Sequence, residues 1–86
     1  MANLENNSLD TRTFGQFCDS LTKRQWVELQ GELAQKLKRS LQCIYNWKKG
    51  YRIPSSSSER VKISDHINRK FNITTRHWLL FPDPEL

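Results

Sequence analysis

Hydrophobic residues recur every three or four positions in several segments, which is the spacing of one face of a helix. The longest such stripe runs from about residue 23 to 38, and a second runs from about 57 to 70. Shorter stripes occupy the segment that follows Thr13, residues 41–49 and residues 75–80. The pattern therefore predicts an all-α domain of five helices and no sheet.

Capping residues stand at the predicted helix starts. Three starts have the capping-box pattern, in which Ser or Thr is followed three residues later by Gln or Glu: Thr13-x-x-Gln16, Thr22-x-x-Gln25 and Ser56-x-x-Glu59. Ser40 and Thr74 are the expected caps of the other two helices. Gly50 and Asn72 are expected to take the left-handed conformation that ends a helix.

The apolar stripes are expected to meet in one core. Its predicted members are Trp26, Leu33, Leu37, Ile44, Trp47, Ile67 and Trp78, with Val61, Ile63 and Phe71 also facing inward and Leu79 or Leu80 closing the core from below. Gly31 interrupts the stripe of residues 23–38 and costs a helix about 1 kcal/mol relative to Ala. A bend or a close helix crossing is one interpretation of this glycine, but we expect a continuous or slightly kinked helix.

The helix over residues 41–49 has two different faces. At about 100° per residue, Ile44 and Trp47 fall on one side, with Cys43 at its edge. The opposite side presents Gln42, Tyr45, Asn46 and Lys49, with Leu41 on the border. Amides, a phenol, cations and an apolar tip are the groups that read base edges in a major groove. The base-reading residues are therefore expected to be Leu41, Gln42, Tyr45 and Asn46.

The formal net charge of +5 at neutral pH is unevenly distributed. Residues 1–22 hold three acids and one arginine. Between residues 36 and 52 there are six cations and no acid, namely Lys36, Lys38, Arg39, Lys48, Lys49 and Arg52. A charge run alone usually marks a solvated face, and it is the coincidence with the motif described next that favours nucleic-acid binding.

The stretch LAQKLKRSLQCIYNWKKGYRIPS, residues 33–55, resembles the helix-turn-helix of the lambda-repressor/Cro superfamily. The matching positions are Leu33, Ala34, Leu37, Ser40, Ile44, Trp47, Gly50 and Pro54. The segment FNITTRHWLLFPD is similar to the helix that closes many such domains, so the resemblance covers roughly residues 13–82. In the turn, the family's glycine is Lys38 here and its buried valine is Arg39. Lys38 then needs a positive φ, which costs about 1 kcal/mol for a residue with a Cβ.

The resemblance implies a compact five-helix lambda-repressor-like domain that binds double-stranded DNA sequence-specifically, as a small repressor-like regulator derived from a phage or mobile element. Phosphate contacts are expected from Lys38, Arg39, Ser40, Lys48, Lys49 and Arg52. Repressors of this family commonly pair on near-palindromic sites, so a homodimer on DNA is expected. Such a dimer would use the first helix or the C-terminal turn, because no separate dimerisation domain is visible.

With 86 residues, the chain has the length of one domain with a small core. We expect a mobile polar arm over residues 1–12, the DNA-binding domain over 13–82 and a short tail over 83–86. No apolar run reaches the roughly 20 residues of a membrane span, and a signal-peptide pattern is missing, so a soluble cytoplasmic protein without a membrane partner is expected. Cys18 and Cys43 have no second ligand at metal-binding spacing, which favours reduced thiols and no metal.

A catalytic arrangement is not recognisable in the sequence. His66 and His77 fall on different predicted helices and are expected on the surface, and no Gly-rich phosphate loop occurs. The chain is therefore predicted not to be an enzyme and to need no cofactor. Two alternatives to specific DNA binding remain: a protein-interaction module such as an antitoxin or phage accessory protein, and a nonspecific nucleic-acid binder.

Overall fold

The computed structural model describes residues 9–82, and this part of the chain forms five helices. They are α1 (Phe14–Asp19), α2 (Lys23–Leu37), α3 (Leu41–Lys49), α4 (Ser57–Phe71) and α5 (His77–Leu80). Within the same residues the only extended pairing is a single parallel bridge between Leu9 and Thr74. The predicted all-helical class is therefore confirmed, and α2 runs through Gly31 as one continuous helix.

The predicted helix caps form at the first four helices. Thr13 and Thr22 each close a complete capping box with the glutamine three residues later. The Ser40 hydroxyl accepts a hydrogen bond from the Cys43 backbone N–H at 3.1 Å. At α4 only half of the predicted box forms, because the Ser56 hydroxyl accepts from the Glu59 N–H while the Glu59 carboxylate bonds elsewhere.

The core lies between all five helices and is mostly the predicted one. Its buried hydrophobic residues are Phe14, Phe17, Cys18, Leu29, Leu33, Ile44, Trp47, Ile63, Ile67, Leu80 and Phe81, and Trp26, Leu37 and Phe71 pack against it while partly buried. Two predicted members are wrong: Trp78 is 57% exposed and Val61 is 38% exposed. A helix of a single turn has too few residues to show a hydrophobic period, so the spacing around Trp78 did not reveal its orientation.

Phe81 fills the place that the sequence assigned to Trp78. Its ring centroid lies 5.2 Å from that of Phe14 and 6.4 Å from that of Trp47. Phe81 follows the last residue of α5, where Leu80 is also buried. The end of α5 thus closes the core beneath α1 and α3.

The predicted cap of α5 is also wrong, because the helix starts at His77 and its N-cap, Arg76, makes no side-chain capping bond. Thr75 is buried instead, and its backbone N–H donates to Asn68 Oδ1 at 2.8 Å. Its hydroxyl donates to the Asp10 carbonyl at 3.1 Å. These bonds explain the difference, since they hold the segment before α5 in an extended conformation.

Residues 9–12 belong to the predicted mobile arm, but the structure ties them to this extended segment. The Asp10 N–H donates to the Thr74 carbonyl at 2.7 Å. Arg12 bonds Asp10 through the side chain, at 2.6 Å between Nη2 and Oδ2, and this hydrogen bond lowers the pKa of Asp10. The rest of the predicted arm and the predicted tail lie outside the described residues.

Charged side chains connect α2 to α4. Glu32 bonds His66 Nε2 at 2.8 Å and Lys70 Nζ at 3.0 Å. The hydrogen bond with His66 and the one with Lys70 lower the pKa of Glu32, so the carboxylate is ionised at neutral pH. The His66 side chain is 19% exposed, so this histidine is partly buried at the surface and paired with Glu32.

Both cysteines are free thiols, as predicted. Cys18 is buried in the core, and burial raises the pKa of its thiol to about 12. A thiol with so high a pKa stays protonated and unreactive at neutral pH. Cys18 therefore acts as a small core residue.

Helices α1 and α3 approach each other closely at Gly15. A Cβ at this position would lie 2.6 Å from the Lys48 backbone oxygen, whereas a Cβ at Gly31 would have no neighbour within 4 Å. Packing therefore requires glycine at position 15, where a side chain would collide with α3, and does not require it at position 31.

We expect Gly15→Ala to destabilise the fold by about 1–2 kcal/mol, because the clash with the backbone of α3 exceeds the gain in helix propensity. Gly31→Ala is the matched control and should stabilise by about 0.5–1 kcal/mol, since Ala is the better helix former. Urea unfolding of both variants measures the two changes. Equal effects at the two positions would contradict the close approach of α1 and α3.

Candidate nucleic-acid interface

A tight turn connects α2 to α3. Lys38 adopts the left-handed conformation with φ 57° and ψ 49°, as its position in the turn predicted. The N–H of Arg39 donates to the Ala34 carbonyl at 2.9 Å, which closes the end of α2. Ser40 then caps α3. α2 and α3 are therefore joined by three residues, Lys38, Arg39 and Ser40, and the turn contains no glycine.

Gln30 connects the two helices through its side chain, a role that the sequence analysis did not identify. Its Nε2 donates to the carbonyl of Leu41 at 2.9 Å, in the first turn of α3. The hydrogen bond holds the start of α3 against α2. The sequence offered one indication of this role. Gln30 lies beside Leu29 on the apolar stripe of α2, where a partly buried amide needs a hydrogen-bond partner.

The two faces of α3 are those that the sequence predicted. Ile44 is 0% exposed and Trp47 is 5% exposed, so both face the core. On the other side Leu41 is 54% exposed and Tyr45 is 37% exposed. The outer face of α3 is consequently accessible to a partner.

Two amides on the outer face of α3 are joined to each other. Gln42 Nε2 donates to Asn46 Oδ1 at 3.1 Å, one helical turn apart. This bond orients both groups, because it leaves the Gln42 carbonyl oxygen as an acceptor and the Asn46 NH2 group as a donor. Together they present an acceptor and donors on adjacent positions of one face.

The predicted phosphate-binding residues differ in their surroundings. Lys38, Lys49 and Arg52 are exposed and form no ion pair with another described residue. The hydroxyl of Ser40 is used in capping. Lys38, Lys49 and Arg52 therefore lie near the two ends of α3, and their charges are exposed to solvent.

Lys48 and Arg39 are each held by a carboxylate. Lys48 Nζ lies 3.2 Å from Asp19 Oδ1 and 5.4 Å from the centroid of the Trp26 ring, and its side chain is only 18% exposed. It faces α1 and α2 and not the outer face of α3. Arg39 Nε donates to Glu59 Oε2 at 2.8 Å, and this hydrogen bond raises the pKa of the guanidinium.

Other kinds of site have little support in residues 9–82. No group of three or more His, Cys, Asp and Glu side chains there is arranged to hold a metal ion. None of the helices in that range has the length and apolarity needed to cross a membrane. The candidate site is the outer face of α3 with the exposed cations at its two ends.

The resemblance of residues 33–55 to the lambda-repressor/Cro helix-turn-helix consists of matches at single positions. No protein-family model, curated protein or solved structure matches the chain.

Proposed function

We propose that the chain binds double-stranded DNA in a sequence-specific manner, with α2 and α3 as a lambda-repressor-like helix-turn-helix of a small transcriptional regulator. The observation that carries the proposal is the outer face of α3. It presents the joined amides of Gln42 and Asn46, while Ile44 and Trp47 anchor the opposite face in the core. A major groove is wide enough to admit such a helix.

In this proposal the side chains of α3 read base edges. Adenine donates from N6 and accepts at N7, so the Gln42 oxygen and the Asn46 NH2 group together match this base edge. The exposed Leu41 and Tyr45 are suited to contact with a thymine methyl group. A half-site that contains A·T pairs is therefore expected.

Phosphate contacts supply most of the affinity and fix the register of the protein on DNA. Lys38, Lys49 and Arg52 support this role best, because they are exposed at the ends of α3. Arg39 joins them through the part of its guanidinium that Glu59 leaves unbonded. Lys48 contributes only if it leaves Asp19 and Trp26. The Ser40 oxygen accepts the Cys43 N–H as the helix cap, and its own O–H is left to donate to a phosphate.

Selection of duplexes from a random pool tests the proposal. We expect the selected sites to share a short motif and to bind at least about a thousandfold more tightly than random duplex at the same salt concentration. A near-palindromic motif would indicate a homodimer on DNA. Equal binding of selected and random duplexes would instead support nonspecific binding.

A protein-interaction module is the second candidate, and one observation favours it. Leu41 and Tyr51 are 54% and 69% exposed, and apolar side chains on an accessible helix and the adjoining loop also suit a protein partner. The absence of binding to any duplex at low salt would favour this candidate.

Neutralising single cations distinguishes residues that contact phosphates from residues that read base edges. Lys49→Ala and Arg52→Ala should each weaken binding to all duplexes alike and reduce the slope of log affinity against log salt by about 0.9, because one fewer counterion is released. Fluorescence anisotropy over a series of KCl concentrations measures the slope. Arg69→Ala, at the C-terminal end of α4, is the control that should leave it unchanged. A loss of sequence preference at constant slope would contradict the assignment to phosphates.

A further inference from the structure

Glu59 is a carboxylate that is largely buried at the start of α4. Its side chain is only 14% exposed, although it lies in the first turn of α4. Oε2 accepts from Arg39 Nε at 2.8 Å, whereas Oε1 is buried without a hydrogen-bond partner among the described residues. Burial of Oε1 without a partner has a desolvation cost, so the side chain needs a reason to lie there.

Capping does not supply that reason. The Ser56 hydroxyl already accepts a hydrogen bond from the Glu59 N–H at 3.1 Å. The reciprocal bond of a capping box, in which the Ser56 N–H would donate to the Glu59 carboxylate, is not formed. The carboxylate turns instead toward the loop between α2 and α3, twenty residues earlier in the chain. Its one polar partner there is Arg39.

Arg39 is held at one nitrogen and open at the others. Its side chain is 43% exposed, and the bond to Glu59 uses Nε. The two terminal nitrogens make no hydrogen bond with a described residue and remain as donors. A guanidinium fixed through Nε keeps a rigid fork that fits phosphate oxygens, and it loses less side-chain entropy when it binds them. Arg52 borders the same cleft, so a second cation lies nearby.

We propose that Glu59 is a positioning residue for DNA binding, which orients Arg39 so that its terminal nitrogens meet a phosphate beside the start of α3. This inference rests on the proposed function. Glu59 itself does not touch DNA, and it acts only through Arg39.

Simple electrostatics predicts the opposite effect. A carboxylate close to DNA repels phosphate, so its removal by itself should tighten binding. If Glu59 positions Arg39, the same removal should weaken binding. The sign of the change therefore distinguishes the two explanations.

A double-mutant cycle on the full chain tests the inference, with a fluorescein-labelled duplex of about 20 base pairs as the probe and anisotropy as the readout. Glu59→Ala and Arg39→Ala should each raise Kd about five- to tenfold, because each variant loosens or removes one charge-assisted contact to phosphate. The double variant should bind no more weakly than Arg39→Ala, because Glu59 has no other route to DNA. Asp65→Ala, which removes an exposed carboxylate from the same helix, should leave Kd unchanged or slightly lower.

Glu59→Gln keeps an oxygen that accepts from Arg39 Nε, so it should retain most of the affinity and remain informative if the alanine variant does not fold. Tighter binding by both Glu59 variants would overturn the inference. An equal loss from Glu59→Ala with and without Arg39 would also overturn it, because this result indicates a purely structural role. A wild-type chain that binds no duplex would refute the proposed function and this inference together, whereas duplex binding that is insensitive to Glu59 would refute this inference alone.

Discussion

Trp47→Ala is expected to unfold the domain or bring it close to unfolding. The side chain is 5% exposed, and its ring packs edge-on against Phe81, so it connects α3 to the end of α5. Truncation of a buried Trp costs about 3–5 kcal/mol, and the whole stability of a domain is typically about 5–15 kcal/mol, less for a small one. Thermal melting followed by circular dichroism measures the loss.

Trp78→Ala is the matched control for this prediction. The same truncation at a side chain that is 57% exposed should change stability by less than about 1 kcal/mol. Comparable losses at the two tryptophans would contradict the orientation of α5. An unchanged melting temperature for Trp47→Ala would contradict the orientation of α3.

Alanine at Gln42 or Asn46 is expected to relax sequence preference while the fold stays intact. Both side chains project from the outer face of α3, and each well-formed pair with a base discriminates by about 1–3 kcal/mol. Selection from a random duplex pool with each variant should show a weakened preference at a defined base position. The salt slope should stay the same, because neither amide carries charge.

The hydrogen bond between the two amides makes this prediction sharper. Since Gln42 donates to Asn46, each single variant should also disturb the neighbouring amide, and the effects of the two should not add in the double variant. Strict additivity would show that the amides act independently. Retention of the full ratio of specific to random binding by both variants would refute the recognition-helix interpretation.

Local features of the chain were predictable because short-range chemistry determines them. The boundaries of α3 follow from Ser40 and Gly50, whose hydroxyl and left-handed conformation start and end it. The two faces of α3 follow from the three-residue spacing of Ile44 and Trp47, which places both on one side of the helix. The left-handed conformation of Lys38 was expected from the resemblance alone, because Lys38 stands where the family's turn has glycine.

Contacts between distant residues were decided only by the tertiary structure. The sequence placed Glu59 in a capping box, but packing of the start of α4 beside the turn offers it Arg39. Lys48 is turned toward Asp19 by the approach of α1, which Gly15 permits. A charged side chain takes whichever partner the fold brings near, and the sequence around it does not specify that partner.

Helix α5 shows most clearly what the sequence determines and what only the tertiary structure decides. The sequence by itself determined that an apolar helix ends the domain, because HWLLF between polar segments has to be buried in part. Only the tertiary structure decided that Leu80 and Phe81, and not Trp78, enter the core. The physical reason is that a four-residue helix has no period to fix its orientation, so the space left beside Phe14 and Trp47 determined which side chains fill it.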